Sequence, residues 1–241
     1  MRLGVFLLVA AALAPGAMAD EYFIPSAAQR QGADGQWWNT EVWISNTSAA
    51  AGGYAVVFLP ASGNSNLESL ELEPPMAEIA PRATVFRNDL VPEGLSGALR
   101  VVVTPGVLVY SRIANAAGKA SSAVGMPAFS RSSAIRPGEL VNLVGLRRTP
   151  QYRTTIGLLN PSRETGAVTV RLISQKGETV HEVSYQLPAG AALQFDEALH
   201  AFGVVRGEHM RAELSGTAPF FAYASVVDAR SGAPTLILPQ R

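Results

Sequence analysis

The stretch WWNTEVWISNTS, residues 37–48, alternates two kinds of side chain. On an extended chain, Trp38, Thr40, Val42 and Ile44 share one face, and Trp37, Asn39, Glu41, Trp43 and Ser45 share the other. Aromatic and β-branched residues at that period predict a strand. A second stretch, YRTTIGLLNPS at 152–162, lies over residues 38–48: an aromatic, a Thr, two β-formers and an Asn-x-Ser ending coincide. Tyr152, Thr154, Ile156 and Leu158 then match the Trp38 face, which predicts that this face is the core. Gln151 and Gly157 stand where Trp37 and Trp43 stand. The fold therefore does not require rings at 37 and 43, although residues 37–43 hold every tryptophan of the chain.

The match continues in order downstream. GALRVVVTPGVLVYSRIANAAG (97–118) lies over MRAELSGTAPFFAYASVVDARSG (210–232), so that Tyr110 meets Tyr223, Ile113 meets Val226 and Asn115 meets Asp228. APRATVFRNDL (80–90) lies over LPAGAALQFDEAL (187–199), with Asp89 meeting Asp196. Three blocks in register are the signature of an internal repeat. They predict two homologous domains, 20–129 and 139–241, joined by the polar linker SRSSAIRPG at 130–138. In the second copy, strands are expected at 154–160, 168–174, 179–187, 191–195, 209–214, 220–228 and 235–238. One short helix, capped by Asp196, is expected to run from Glu197 to Phe202 and to end at Gly203. LESLELEPPMAE (67–78) reads as a strand with Glu71 and Glu73 on a solvated face. This rhythm of short strands and turns predicts an all-β fold, as two tandem β-sandwiches of Ig-like or jelly-roll-like type.

The run RTTIGLLNPS (153–162), the alternating VTVRLIS (168–174), a glycine turn and LPAG (187–190) resemble the tandem Ig-like β-sandwich repeats of bacterial secreted proteins. Such repeats open on a strand ending in Asn-Pro and continue with a Val-x-Val strand. The first copy departs from that pattern, with Asn46-Thr47-Ser48 and no proline. The resemblance implies a class: spacers, adhesion or assembly modules, or accessory binding domains.

At the N-terminus, Arg2, the apolar run from Leu3 to Leu13 and Ala17-Met18-Ala19 read as a secretory signal peptide over residues 1–19. The product is expected to be secreted or periplasmic, with no membrane span after cleavage. The 241 residues contain no cysteine, so burial has to supply the stability that disulfides give many secreted domains. Thiol catalysis, cysteine-held zinc and iron–sulfur clusters are excluded. Formal charge is zero, with no basic excess of the kind that marks nucleic-acid binders. No cofactor is implied.

Residues that could carry chemistry are few. His181, His200 and His209 show no metal-ligand spacing. There is no G-x-S-x-G elbow, and no pair of carboxylates is nominated for glycoside hydrolysis. Asp34 in GADG (32–35) reads as a turn residue. Asp89 and Asp196 recur between the copies and are expected to start helical turns, and Asn46, Asn160, Asn115 and Asp228 to brace strand ends. Function is expected where the copies differ: Trp37, Trp43, the segment QGADGQ (31–36) and the helix around His200. Trp37 and Trp43, beside Asn39 and Glu41, suit sugar recognition, a protein interface or a seam between the domains. The leading expectation is a non-enzymatic secreted or envelope-associated module acting in adhesion, assembly or scaffolding. Carbohydrate binding through Trp37 and Trp43 is the alternative, and a secreted hydrolase the third.

Overall fold

The computed structural model describes residues 19–32, 35–117 and 120–241. All but the last residue of the expected signal peptide, and Asp34 of the expected turn, lie outside the described residues. The first half contributes β1 (Asp20–Gln31), β2 (Trp37–Asn46), β3 (Gly52–Pro60), β4 (Ala77–Ile79), β5 (Thr84–Arg87), β6 (Leu95–Val103), β7 (Val107–Ala117), β8 (Ala120–Gly125) and the two-residue β9 (Phe129–Ser130). They form one antiparallel sheet in the order β4-β3-β6-β1-β2-β7-β8, with β5 paired to β2 and β9 to β1. Strand β1 is the fold line. It runs along β6, slips register between Ile24 and Ala27, and pairs with β2 only at residues 29–31. The two wings therefore face each other across Ile24, Val42, Ile44, Leu99 and Val101. That is the packing of a β-sandwich.

The second half contributes β10 (Val141–Arg148), β11 (Tyr152–Leu159), β12 (Gly166–Ile173), β13 (Thr179–Leu187), β14 (Ala192–Phe195), β15 (Gly207–Gly216), β16 (Phe221–Asp228) and β17 (Pro234–Ile237). Two four-stranded sheets, β10-β15-β12-β13 and β14-β11-β16-β17, enclose Leu143, Leu146, Ile156, Val170, Leu214 and Phe220. These orders parallel β1-β6-β3-β4 and β5-β2-β7-β8 of the first half, strand for strand. The fold is all-β and sandwich-like, as the strand rhythm predicts.

The two halves also share their internal braces. Asn46 Nδ2 donates to the carbonyls of Ala50 (2.8 Å), Ile79 (3.2 Å) and Ala80 (3.2 Å), and its Oδ1 accepts from Ser48 N and Oγ. Asn160 Nδ2 donates to the carbonyls of Glu164 (2.7 Å), Leu187 (2.9 Å) and Pro188 (3.1 Å), and its Oδ1 accepts from Ser162 N and Oγ. Each Asn is buried and ties the end of a central strand to two loops. Likewise Thr40 Oγ1 bonds both the N–H and the carbonyl of Ala28, and Thr154 Oγ1 those of Arg147. Those bonds make β10 the positional equal of β1, and both strands slip register at the corresponding place, Ile24/Ala27 and Val144/Leu146.

Four sequence expectations are corrected. Residues 67–71 form a short helix, α1 (Leu67–Glu71), instead of a strand. Leu70 is buried there against Leu159 and Ala192 of the second half, while Leu72 points to solvent. So short a Leu/Glu pattern fits either period, and docking on the other half decides it. Strand β10 had no expected counterpart, because Gly145, at φ 93°, breaks its alternation with a bulge. Asp196 does not cap the second helix, α2 (Ala198–Ala201). Glu197 holds the cap position in a left-handed conformation without a side-chain bond. Asp196 instead accepts from Arg30 Nη2 at 2.9 Å and from Gln194 Nε2 at 2.8 Å, and so ties the halves together. Asp89 is held by Arg87 at 2.7 Å and starts no helical turn. In the joining segment 130–138, Ala134 and Ile135 are buried, and Ile135 exchanges backbone hydrogen bonds with Phe220.

Glu21 anchors the same join. Its carboxylate receives Arg100 Nε at 2.6 Å and Arg131 Nε at 2.7 Å, while Arg131 also donates to the Pro161 carbonyl. Burial pushes the Glu21 carboxyl up, but the hydrogen bonds from Arg131 and Arg100 outweigh it and leave it below its ordinary value of 4.5. A depressed folded-state pKa adds stability that is complete above the unfolded value and is lost as pH falls through the folded one. Urea titrations should therefore show stability falling below about pH 4.5, with a shallower fall in Glu21→Gln; parallel curves for the two proteins would remove Glu21 from this role. Asn160→Ala and Asn46→Ala should each cost about 2–4 kcal/mol, since truncation strands several buried polar groups. Urea midpoints of the single variants measure it, and a loss under about 0.5 kcal/mol, the scale of an ordinary surface change, would refute the brace.

Candidate binding face

Strand β2 directs Thr40, Val42 and Ile44 into the core and leaves Trp37, Asn39, Glu41, Trp43 and Ser45 on its outer side. The second half of β2 lies between β5 and β7, so Trp43 sits opposite Phe86 on one side and Tyr110 on the other. The Trp43 ring centroid is 5.0 Å from that of Phe86 and 5.5 Å from that of Tyr110, at interplanar angles of 46° and 42°. Three rings thus run side by side across three adjacent strands. Phe86 is 47% exposed and Tyr110 55%, and Leu108, at the next outward position of β7, is 61% exposed. The Arg112 guanidinium lies 5.2 Å from the Trp43 centroid and pairs with Glu41. The hydrogen bond to Glu41 raises the Arg112 pKa further.

Of the four residues singled out from sequence, the structure brings Glu41 and Trp43 together in this cluster. Trp37 is 38% exposed and stands six residues away, roughly 20 Å along the strand. Asn39 lies between them, and its Oδ1 is buried without a hydrogen-bond partner among the described residues. Trp38 packs on the core of the first half, and a Cβ at Gly32 would collide with its indole. That contact explains one glycine of the QGADGQ segment.

Phe86, Leu108, Tyr110 and Arg112 belong to the same face and were missed from sequence. Phe86 carried a readable signal: in ATVFR (83–87) it is the large apolar residue on the side opposite the core residue Val85. Tyr110 recurs as Tyr223 and so fell outside the positions where the copies differ.

That recurrence gives the face its contrast. On β11, Gly157 sits opposite Gln194 of β14 and Tyr223 of β16, the ladder positions of Trp43, Phe86 and Tyr110. The Tyr223 ring lies over Gly157, where a Cβ would overlap it. Tyr223 is only 2% exposed, packs into the core cluster of the first half and donates to Gln194 Oε1 at 3.1 Å. Burial pushes its phenol far above the ordinary range. Beside it, a cavity of about 90 Å³ separates the halves, lined by Ser26, Trp38 and Met126 on one side and Arg153, Asp196 and Tyr223 on the other. One face is therefore open in the first half and closed in the second.

The histidines lie elsewhere. His181 stacks on Phe202 at 4.9 Å, His200 Nδ1 faces Arg148 Nη2 at 3.0 Å, and His209 is exposed on a left-handed backbone. Among the described residues no group of three or more His, Asp or Glu side chains could hold a metal, and no helix is long and apolar enough to cross a membrane.

Three tryptophans in three environments should separate in fluorescence. Trp37→Phe should remove the most acrylamide-quenchable, red-shifted emission, and Trp38→Phe the most protected. Equal quenching of all three single variants would contradict the alternation on β2.

No family model matches the chain, and no curated protein matches it. Among solved structures, a glycosyl hydrolase family 2 member from Bacteroides cellulosilyticus DSM 14838 aligns at 10% identity and a TM-score of 0.17, covering 83% of this chain and 26% of that one. A Bacteroides uniformis beta-glucuronidase aligns at 10% identity and a TM-score of 0.16, over 84% of this chain and 24% of its own. Beta-glucuronidase 2 of the same organism, covalently bound to cyclophellitol-6-carboxylate aziridine, gives the same values. The chain spans about a quarter of the length of these proteins, and a likeness at this level carries no argument about what it does.

Proposed function

We propose that this chain is a non-enzymatic β-sandwich module, secreted or held at the envelope, that acts in adhesion, assembly or scaffolding through the face of Phe86, Trp43 and Tyr110. One observation carries the reading: three contiguous rings lie across neighbouring strands with two of them about half exposed, beside an exposed Leu108. A contiguous apolar patch of that kind marks an interaction surface, whereas scattered apolar residues do not. Tyr and Trp are also the residues most enriched where binding energy concentrates. The signal-like residues 1–19 support the location.

Sugar recognition through Trp37 and Trp43 draws less support. Stacking on a sugar favours a flat shelf, and the rings around Trp43 are tilted by 42° and 46°. Trp37 is too far along β2 to extend the cluster.

Binding of the chain from Asp20 to Arg241 to envelope fragments from its source cells, measured by sedimentation beside Phe86→Ser and Tyr110→Ser, tests the proposal. Each substitution should weaken binding roughly tenfold or more, as truncation of a central interface ring does, with an unchanged far-ultraviolet dichroism spectrum. Binding that survives both substitutions would discard the ring face. Binding that is lost with Trp37→Ala and competed by soluble glycan would transfer the role to carbohydrate.

A further inference from the structure

The ring face has a counterpart in the second half, and the counterpart shows what covers such a face. Gly157, Gln194 and Tyr223 hold the ladder positions of Trp43, Phe86 and Tyr110, and the first half lies on top of them. The covering strand is β1, which packs on β11 and β16, with Ser26 against Tyr223. The positional equal of β1 is β10, as the paired Thr40 and Thr154 hydrogen bonds and the shared bulge establish. On β10 and just before it, Val144 is 47% exposed and Leu140 54%. Among the described residues one molecule therefore carries an uncovered ring face in its first half and, at β10 of its second, exposed Val144 and Leu140 on either side of Asn142. Their counterparts within the chain are in contact with each other.

We propose that the ring face binds a second copy of this chain, head to tail, with β10 of one copy lying over Trp43 and Tyr110 of the next. This partner rests on the reading of the ring face as a contact surface and names its occupant. The two surfaces differ, so the contact is heterologous, and copies add in one direction until a ring closes or a filament grows. The contact is weaker than the join inside the chain. At the internal join, Phe23 of β1 and Ala98 of β6 pack with Phe221. At the corresponding places of β10 and β15 stand Asn142 and Arg211, both polar. Association is therefore reversible and dilutes away.

Sedimentation velocity and light scattering on the chain from Asp20 to Arg241, followed over a wide concentration range, test this. The unmodified chain should gain mass with concentration and pass beyond the dimer. Tyr110→Glu blocks only the ring face and Val144→Glu only the β10 surface; each alone should remain monomeric with an unchanged dichroism spectrum. Mixed together they should form a one-to-one dimer and nothing larger, because each retains the surface that the other has lost. A monomer at every concentration, or a mixture that stays monomeric, overturns the head-to-tail contact. If the chain is monomeric yet Tyr110→Glu still abolishes binding to envelope fragments, the ring face is a contact surface for another partner and only the second copy is lost. If Tyr110→Glu changes neither mass nor envelope binding, both readings fail together.

Discussion

The Tyr223 ring lies across the backbone at Gly157, and most of this architecture follows from that contact. A ring can lie there only because residue 157 has no side chain. Lying there, it joins the core of the first half. Its hydroxyl then needs a partner away from water, and Gln194 supplies one from the neighbouring strand. Burying such a ring removes a large apolar area from water, on the order of 2–3 kcal/mol, which a chain without cysteine has to find somewhere. The outer side of a sheet, normally wet in an antiparallel sandwich, becomes interior.

The same contact turns two β-units into one body. A second cluster, with Phe23, Leu59 and Leu70 from the first half and Leu159, Ala192 and Phe221 from the second, runs beside it. Phe221 is two residues from Tyr223, so alternate side chains of β16 serve both clusters. The polar bonds around the join are smaller contributions. Arg30 and Asp196 are both partly exposed, and a pair of that kind adds about 0.2–1 kcal/mol. They fix orientation, and the rings hold the halves together.

Legibility in the sequence followed the range of the forces involved. The faces of β2 were readable because alternation is local and the second copy supplied an independent reading of it. The braces at Asn46 and Asn160 were readable for the same reason, as short polar motifs at strand ends. Asp196 was misread because its partner, Arg30, is 166 residues away. Helix α1 was misread because docking against Leu159 and Ala192, and not its own period, decides its form. Phe86 and Arg112 were overlooked because the cluster they make with Trp43 exists only once β5 and β7 flank β2. Single-strand reasoning finds which side a residue faces; the partners it meets there come from topology.

The proposed function rests on the difference between Trp43 and Gly157. Both residues sit at the centre of a three-strand ladder, and both have a tyrosine beside them on a neighbouring strand, β7 or β16. With glycine, the tyrosine lies down over the backbone and the face becomes a join. With tryptophan, the ladder fills with rings, Trp43 lying between Phe86 and Tyr110 with Arg112 against it, and Tyr110 keeps more than half its surface in water. Packing inside one half does not require this, because the other half folds with glycine and glutamine at the equivalent places. Leaving large rings uncovered in water carries a cost, since such patches invite aggregation. On the proposed reading the ring face is a surface to be covered, and the join within the chain gives the pattern for how a face at these ladder positions is covered.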